Sequence, residues 1–138
     1  MSIMAHINIT PYMHLTFVEK GRDHQGVDCY GLAYLISREQ LGRNVPAYTQ
    51  GYATSLDGDE IASIIRQERL TVWESIPHES VEVGDLVVLR IMGQPWHCGI
   101  MLSKTKFLHI ERNSDVCQDS LESLRWAKRI EGFHRWKS

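Results

Sequence analysis

Gly26-Val27-Asp28-Cys29-Tyr30-Gly31-Leu32 stands directly ahead of a run, Leu32 to Leu41, whose apolar residues recur at helical spacing. Asp28 suits the N-cap of that helix, because its carboxylate accepts hydrogen bonds from N–H groups that the first turn leaves unpaired. Cys29 then becomes the first helical residue, at the positive end of the helix dipole, where a thiolate is favoured over a thiol. The thiolate is the nucleophilic form of cysteine, so one short stretch predicts both a helix and an activated sulfur. A small buried residue at a helix start accounts for the same letters. What separates the two is whether the rest of the chain supplies a base.

Outward from this stretch, Gly21-Arg22-Asp23-His24-Gln25-Gly26 predicts a polar loop feeding the helix. Leu32, Leu35 and Ile36 give the helix an apolar face; Gly42 marks its C-cap, and Pro46 prevents easy continuation. Asp57 to Leu70 predicts a second helix, with Asp57 or Asp59 as cap and Ile61, Ile64 and Ile65 as the buried stripe. Val81 to Asp85 turns into Leu86 to Ile91, a strand apolar on both faces, and Gly93 to Pro95 breaks it. His97 to Leu102 and Lys106 to Glu111 are two strands joined through Ser103-Lys104-Thr105, and Asn113 to Asp119 is a polar loop. Ser120 to Lys128 predicts a short helix, and Arg129 to Trp136 a last strand. Helices followed by an antiparallel run of strands imply an α+β domain.

A chain of 138 residues fits a single domain, 1–138, large enough to bury a core without staples. A formal net charge of −2 gives no electrostatic reason to expect nucleic acid as a partner. Three cysteines, an odd number, argue against a disulfide framework and fit a reducing compartment. Met1 to Thr10 lacks the basic and apolar regions of a Sec-type signal peptide, so a soluble protein made in a cytoplasm is expected, exported, if at all, by some other route. No apolar run approaches the roughly 20 residues that span a bilayer, and no membrane insertion is expected.

A cysteine nucleophile needs a base, and histidine serves near neutral pH. Of seven histidines, His6, His14, His24 and His78 fall in irregular stretches and His134 among aromatic packing residues, whereas His97 and His109 both lie in strands of one hairpin. A three-residue connection pairs Leu102 with Lys106, sets His109 opposite Gly99 and His97 opposite Glu111, and makes the two histidines diagonal neighbours on one face. A two-residue connection would turn His109 to the other face. Cys98 points away from His97 and is expected to be buried and inert, and Cys117 has no base near it in sequence. A zinc site drawn from His97, Cys98, His109 and Cys117 lacks the paired spacing of ordinary zinc sites, and no metal is expected.

With Cys29, His97 and His109 identified, the sequence resembles the NlpC family of papain-like cell-wall peptidases, and within it the phage tail-associated branch. The resemblance rests on Gly21-Arg22-Asp23, the Asp28-Cys29-Tyr30-Gly31-Leu32 element, Val83-Gly84-Asp85, His97-Cys98-Gly99-Ile100 and Phe107-Leu108-His109. It implies a papain-like fold, with N-terminal helices packed on a C-terminal antiparallel sheet. It also implies Cys29 as nucleophile, His97 as base and acid, and His109 orienting His97, with no cofactor. The implied substrate is a peptidoglycan stem peptide cut between D-glutamate and a diamino acid, and the implied partners are other phage tail proteins, in a tail made in a bacterial cytoplasm. The backbone N–H of Cys29 would support the oxyanion, with Asp28, Phe17 and Tyr12 as further supporting positions. Phe17 matches the place of a family tyrosine and lacks its hydroxyl; losing one oxyanion donor lowers a rate by about a hundredfold or more. Tyr30 stands where many bacterial members carry serine, a mark of the phage branch.

Overall fold

The computed structural model describes residues 6–48 and 73–137; the helix expected over 57–70 lies outside them. Two short strands, β1 (Arg22–Asp23) and β2 (Gly26–Val27), form a hairpin and lead into helix α1 (Cys29–Leu41). The polar loop expected over 21–26 is therefore this hairpin, whose pairing of Arg22 with Val27 holds the approach to α1 in place. Gly42 ends α1 in the left-handed conformation, at φ 63°, as its sequence position predicts.

Six strands follow: β3 (Trp73–Ile76), β4 (Leu86–Ile91), β5 (Gln94–Met101), β6 (Lys106–His109), β7 (Cys117–Ser120) and β8 (Ile130–Trp136). They form one antiparallel sheet in the order β3-β8-β4-β5-β6-β7. β4 is buried on both faces, as its unbroken apolar run implies. Leu86 and Val88, with Cys98, Ile100 and Leu108, pack against Leu32, Ala33 and Ile36 of α1. Val87 and Leu89, with Met101, Phe107 and Phe133, form a second core around Trp126 on the opposite face. Alternation along each strand divides the apolar residues between these two clusters.

The turn into β4 is fixed from the far end of the chain. Arg135 on β8 donates from Nε and Nη2 to the two carboxylate oxygens of buried Asp85, at 3.0 and 2.9 Å. That fork gives Val83-Gly84-Asp85 a structural role.

The sequence expectations differ from the structure at three further places. Residues 120–128 form turns: Trp126 and Ala127 both donate to the Ser123 carbonyl, and Leu124 is fully exposed, so no helical apolar face forms. The Asn113-to-Asp119 stretch contains the start of β7, an edge strand whose polar residues hide its pairing with β6. Trp73–Ile76 is also an edge strand, paired with β8. Among the described residues, one α-helix rather than several packs on the sheet.

Candidate active site

The tip of α1 is built by Asp28. Its Oδ1 accepts the Gly31 N–H at 2.7 Å, the N-cap bond its sequence position predicts. The same oxygen accepts Arg22 Nη1 at 2.7 Å, while Oδ2 accepts the Lys20 N–H at 3.0 Å. Arg22 continues to the Ala47 carbonyl through Nε at 2.6 Å and lies 5.4 Å from the Tyr30 ring centre. Gly31 permits this crowding, since a Cβ there would stand 2.0 Å from the Gly21 carbonyl oxygen. The carboxylate of Asp28 thus serves as a buried clamp joining loop, hairpin and helix.

Cys29, 3% exposed, caps this assembly where α1 meets β5. A hydrogen bond from the Cys98 thiol lowers its pKa most; burial opposes, the hydrogen bond and charge of His97 lower it further, and the Asp28 charge raises it. The balance brings the thiol down to about 6, so that it ionises at neutral pH. Cys98, on the α1 side of the sheet, takes the opposite shift: its bond to Cys29 and its burial hold its proton firmly. It is buried and thiol-protonated as the alternation predicts, but it is also the strongest influence on its neighbour.

His97 and His109 meet as the three-residue connection requires. The β5–β6 ladder pairs Ile100 with Leu108 and Met101 with Phe107, and Leu102 N–H donates to the Lys106 carbonyl at 2.8 Å. β6 ends at His109, so the expected pairing of His97 with Glu111 does not form. His97 Nε2 lies 2.7 Å from His109 Nδ1, and His109 Nε2 lies 3.0 Å from Asp119 Oδ2. Gly99 lets β6 approach β5 closely beside the rings, since a Cβ there would stand 2.8 Å from the Phe107 ring, 3.0 Å from the Leu108 carbonyl oxygen and 3.3 Å from the His109 Cβ. Trp126 walls the pair, its ring stacked on His97 at 5.7 Å and edge-on to His109 at 5.5 Å.

The hydrogen-bond chain fixes the ring protons. Burial raises the Asp119 pKa, but bonds from Trp126 and His109 outweigh it and keep the group a carboxylate, able only to accept. His109 Nε2 must therefore carry the proton, which leaves Nδ1 to accept from His97 Nε2–H. The free lone pair of His97 then lies on Nδ1, the nitrogen left to serve Cys29. Burial, and after it the His97 charge, brings the His109 pKa down to about 4, so this ring is neutral at neutral pH.

The structure brings together Cys29, His97 and His109, with Asp28 beneath them. Phe17 is bridged to Val27, two residues ahead of Cys29, and its ring lies under the Arg112 guanidinium. It lines an open cleft of about 540 Å³ between residues 16–19 and 112–115. Tyr12 is not brought to the site: its hydroxyl donates to Glu39 Oε1 at 2.8 Å, near the C-terminal end of α1 and remote from Cys29. Cys117, which lacks a base nearby in sequence, lies directly opposite His109 on β7 with its sulfur 3.3 Å from Nε2. The four-residue zinc set considered from sequence does not assemble, because Cys98 faces α1 while the histidines face Trp126. Sequence reasoning missed Asp119, Trp126 and Arg22. Asp119 was hidden by the missing β7, and recognising that strand would have set it diagonal to His109.

A family model described as the NlpC/P60 family matches residues 15–135. The murein DD-endopeptidase MepS/murein LD-carboxypeptidase of Escherichia coli strain K12 is 27% identical over 115 residues, and so is that of strain O157:H7. The matched region covers 83% of this chain and 52% of those proteins, so the chain spans about half the length of the curated relatives it matches. Among solved structures, a Staphylococcus aureus protein similar to lipoprotein, of the NLP/P60 family, superposes with a TM-score of 0.61 at 20% identity, over 90% of this chain and 37% of its own. The NlpC/p60 domain of the peptidoglycan hydrolase SagA gives 0.58 at 20% identity, over 91% and 89%. The two likenesses extend to the fold, which among the described residues of this chain is a helix packed on a large antiparallel sheet.

Proposed function

Because the chain belongs to the NlpC/P60 family, we propose that it is a cysteine peptidase acting on peptidoglycan stem peptides. The observation that carries this reading is the hydrogen-bonded run His97–His109–Asp119 set beside buried Cys29 at the tip of α1, whose thiol is brought down in part by His97. In it Cys29 Sγ attacks the peptide carbonyl while His97 Nδ1 holds the thiol proton and delivers it to the leaving amine. Water then attacks the thioester, giving its proton to His97 and releasing the acid. His109, itself held by Asp119, keeps the His97 ring in the tautomer that presents Nδ1. The Cys29 N–H, at a helix start with no partner in its own helix, supports the oxyanion.

The bond we assign is that between D-glutamate and a diamino acid. The names of the Escherichia coli relatives indicate the alternative, a DD-endopeptidase or LD-carboxypeptidase cut in the same stem peptide. The setting we infer is a phage tail, made in a bacterial cytoplasm and acting in wall penetration or tail assembly; Tyr30 beside Cys29 supports it through the family resemblance. A second reading, a tail-tip protein of low activity, is favoured by Phe17, whose ring offers no hydroxyl and lies under Arg112. An amidase or acyltransferase would use the same thiolate.

Incubation of the purified chain with peptidoglycan, followed by mass analysis of the released fragments, tests the reading. The parent releases stem-peptide fragments whose masses identify the bond, while Cys29→Ala and His97→Ala release none and remain folded by circular dichroism. Release by Cys29→Ala overturns the nucleophile; an inert parent favours the structural reading.

A further inference from the structure

We propose that His109, Cys117 and Asp119 form a binding site for a zinc-like divalent cation, and that filling it turns off acid–base catalysis by His97 by reversing the protons of both imidazoles. The second half rests on the hydrolase reading; the first stands without it. One nitrogen, one sulfur and one oxygen converge here: Nε2 of His109, Sγ of Cys117 and a carboxylate oxygen of Asp119 all lie within 4.8 Å of one another. Nε2 is 3.3 Å from the sulfur and 3.0 Å from Oδ2. In a tetrahedral zinc site with Zn–N near 2.0 Å and Zn–S near 2.3 Å, neighbouring ligand atoms stand about 3.3 to 3.5 Å apart. Around Nε2, the sulfur and the carboxylate oxygen need spread by only a few tenths of an ångström to admit the ion.

Register explains the convergence. Cys117 lies directly opposite His109, and Asp119 is two residues further along the same strand, so their side chains share one face. The buried His109 is held by His97 and Trp126, and Asp119 Oδ2 by Trp126 Nε1 at 3.1 Å, so two of the ligands are positioned in advance. Cys117 is exposed, which gives the ion an entrance and leaves water for the fourth position. A mixed imidazole, thiolate and carboxylate set suits zinc and excludes the all-oxygen preference of magnesium or calcium.

Binding would act on Cys29 without touching it. The cation takes the lone pair of His109 Nε2, so the proton that nitrogen carried moves to Nδ1, and the Cys117 thiol releases its proton to solvent. His109 Nδ1–H then points at His97 Nε2, 2.7 Å away, which must change from donor to acceptor. Its proton moves to Nδ1, the nitrogen that serves Cys29. With Nε2 committed as an acceptor, the ring cannot become the imidazolium that takes up the thiol proton and passes it to the leaving amine, so acid–base catalysis is lost while every catalytic side chain stays in place.

Cobalt(II) and zinc(II) are the probes. The full chain should show the thiolate-to-cobalt charge-transfer absorption, which persists in Cys29→Ala and disappears in Cys117→Ala. Zinc should inhibit peptidoglycan hydrolysis reversibly, with chelator restoring it. Cys117→Ala should keep the basal rate and require about tenfold or more zinc for the same inhibition. Absorption lost in Cys29→Ala and kept in Cys117→Ala would assign the ion to the nucleophile and overturn the site. Equal inhibition of parent and Cys117→Ala overturns the switch. If the parent proves inert on peptidoglycan, the hydrolase reading fails and the cobalt spectra of the two variants still decide the site.

Discussion

A thiol as buried as Cys29 would ordinarily hold its proton, and its ionisation here depends on three neighbours of opposing effect. Cys98 and His97 favour the thiolate, and the charge of Asp28 disfavours it. Substitutions on either side should therefore move the acidic limb of the pH–rate profile in opposite directions. Cys98→Val removes the thiol donor and is expected to raise the pH at which Cys29 is alkylated. Asp28→Asn keeps a capping side chain, removes the anion and should lower it. Iodoacetamide kinetics across pH 5 to 9, in a Cys117→Ala background, check both; shifts of one sign would discard this account of the sulfur. Cys29, His97 and His109 were legible because each carries its chemistry in its residue type and local spacing. The Cys98 effect was not, since strand alternation describes faces and is silent on a helix tip that reaches two adjacent residues.

At the scale of elements, the β5–β6 hairpin was readable down to its register, because a connection of three residues leaves one pairing that sets both imidazoles on a shared face. Gly99 is what turns that register into contact. Gly99→Ala should lower kcat by about a hundredfold, since a Cβ there presses on the Phe107 ring, the Leu108 carbonyl and the His109 Cβ and so shifts the strand that carries the His97–His109 contact. Steady-state kinetics check this, and an unchanged kcat would mean that the rings do not act as a unit. β7 and β3 were not legible: both are edge strands of four residues whose polar faces carry no apolar alternation. The turns over 121–128 imitate a helix because Leu121 and Leu124 are spaced as one, yet only Leu121 is buried. Arg135 and Asp85, 50 residues apart, were equally invisible as a pair. Arg135→Met leaves the Asp85 carboxylate without its fork and should lower stability by about 2 kcal/mol, read as a lower urea midpoint at unchanged slope.

At the scale of the molecule, the two apolar clusters lie on opposite faces of shared strands, so neither can loosen while the other keeps its packing. One cooperative transition is expected. Labelling of Cys98 in a Cys29→Ala, Cys117→Ala background reports the α1 face, and near-ultraviolet circular dichroism reports the Trp126 face. Their denaturation midpoints should coincide, and separated midpoints would divide the chain into two folding units. The α+β class was evident from helices preceding strands, whereas the strand order was not, because it depends on β8 slotting between β3 and β4. That late insertion has a consequence for biosynthesis. A growing polypeptide holds its sulfur, both imidazoles and the acidic residue long before the strand that joins the sheet has left the ribosome. Chains cut before it would carry all of these groups without the strand that joins β3 to β4, so the cluster is expected to assemble only after residue 136 has emerged.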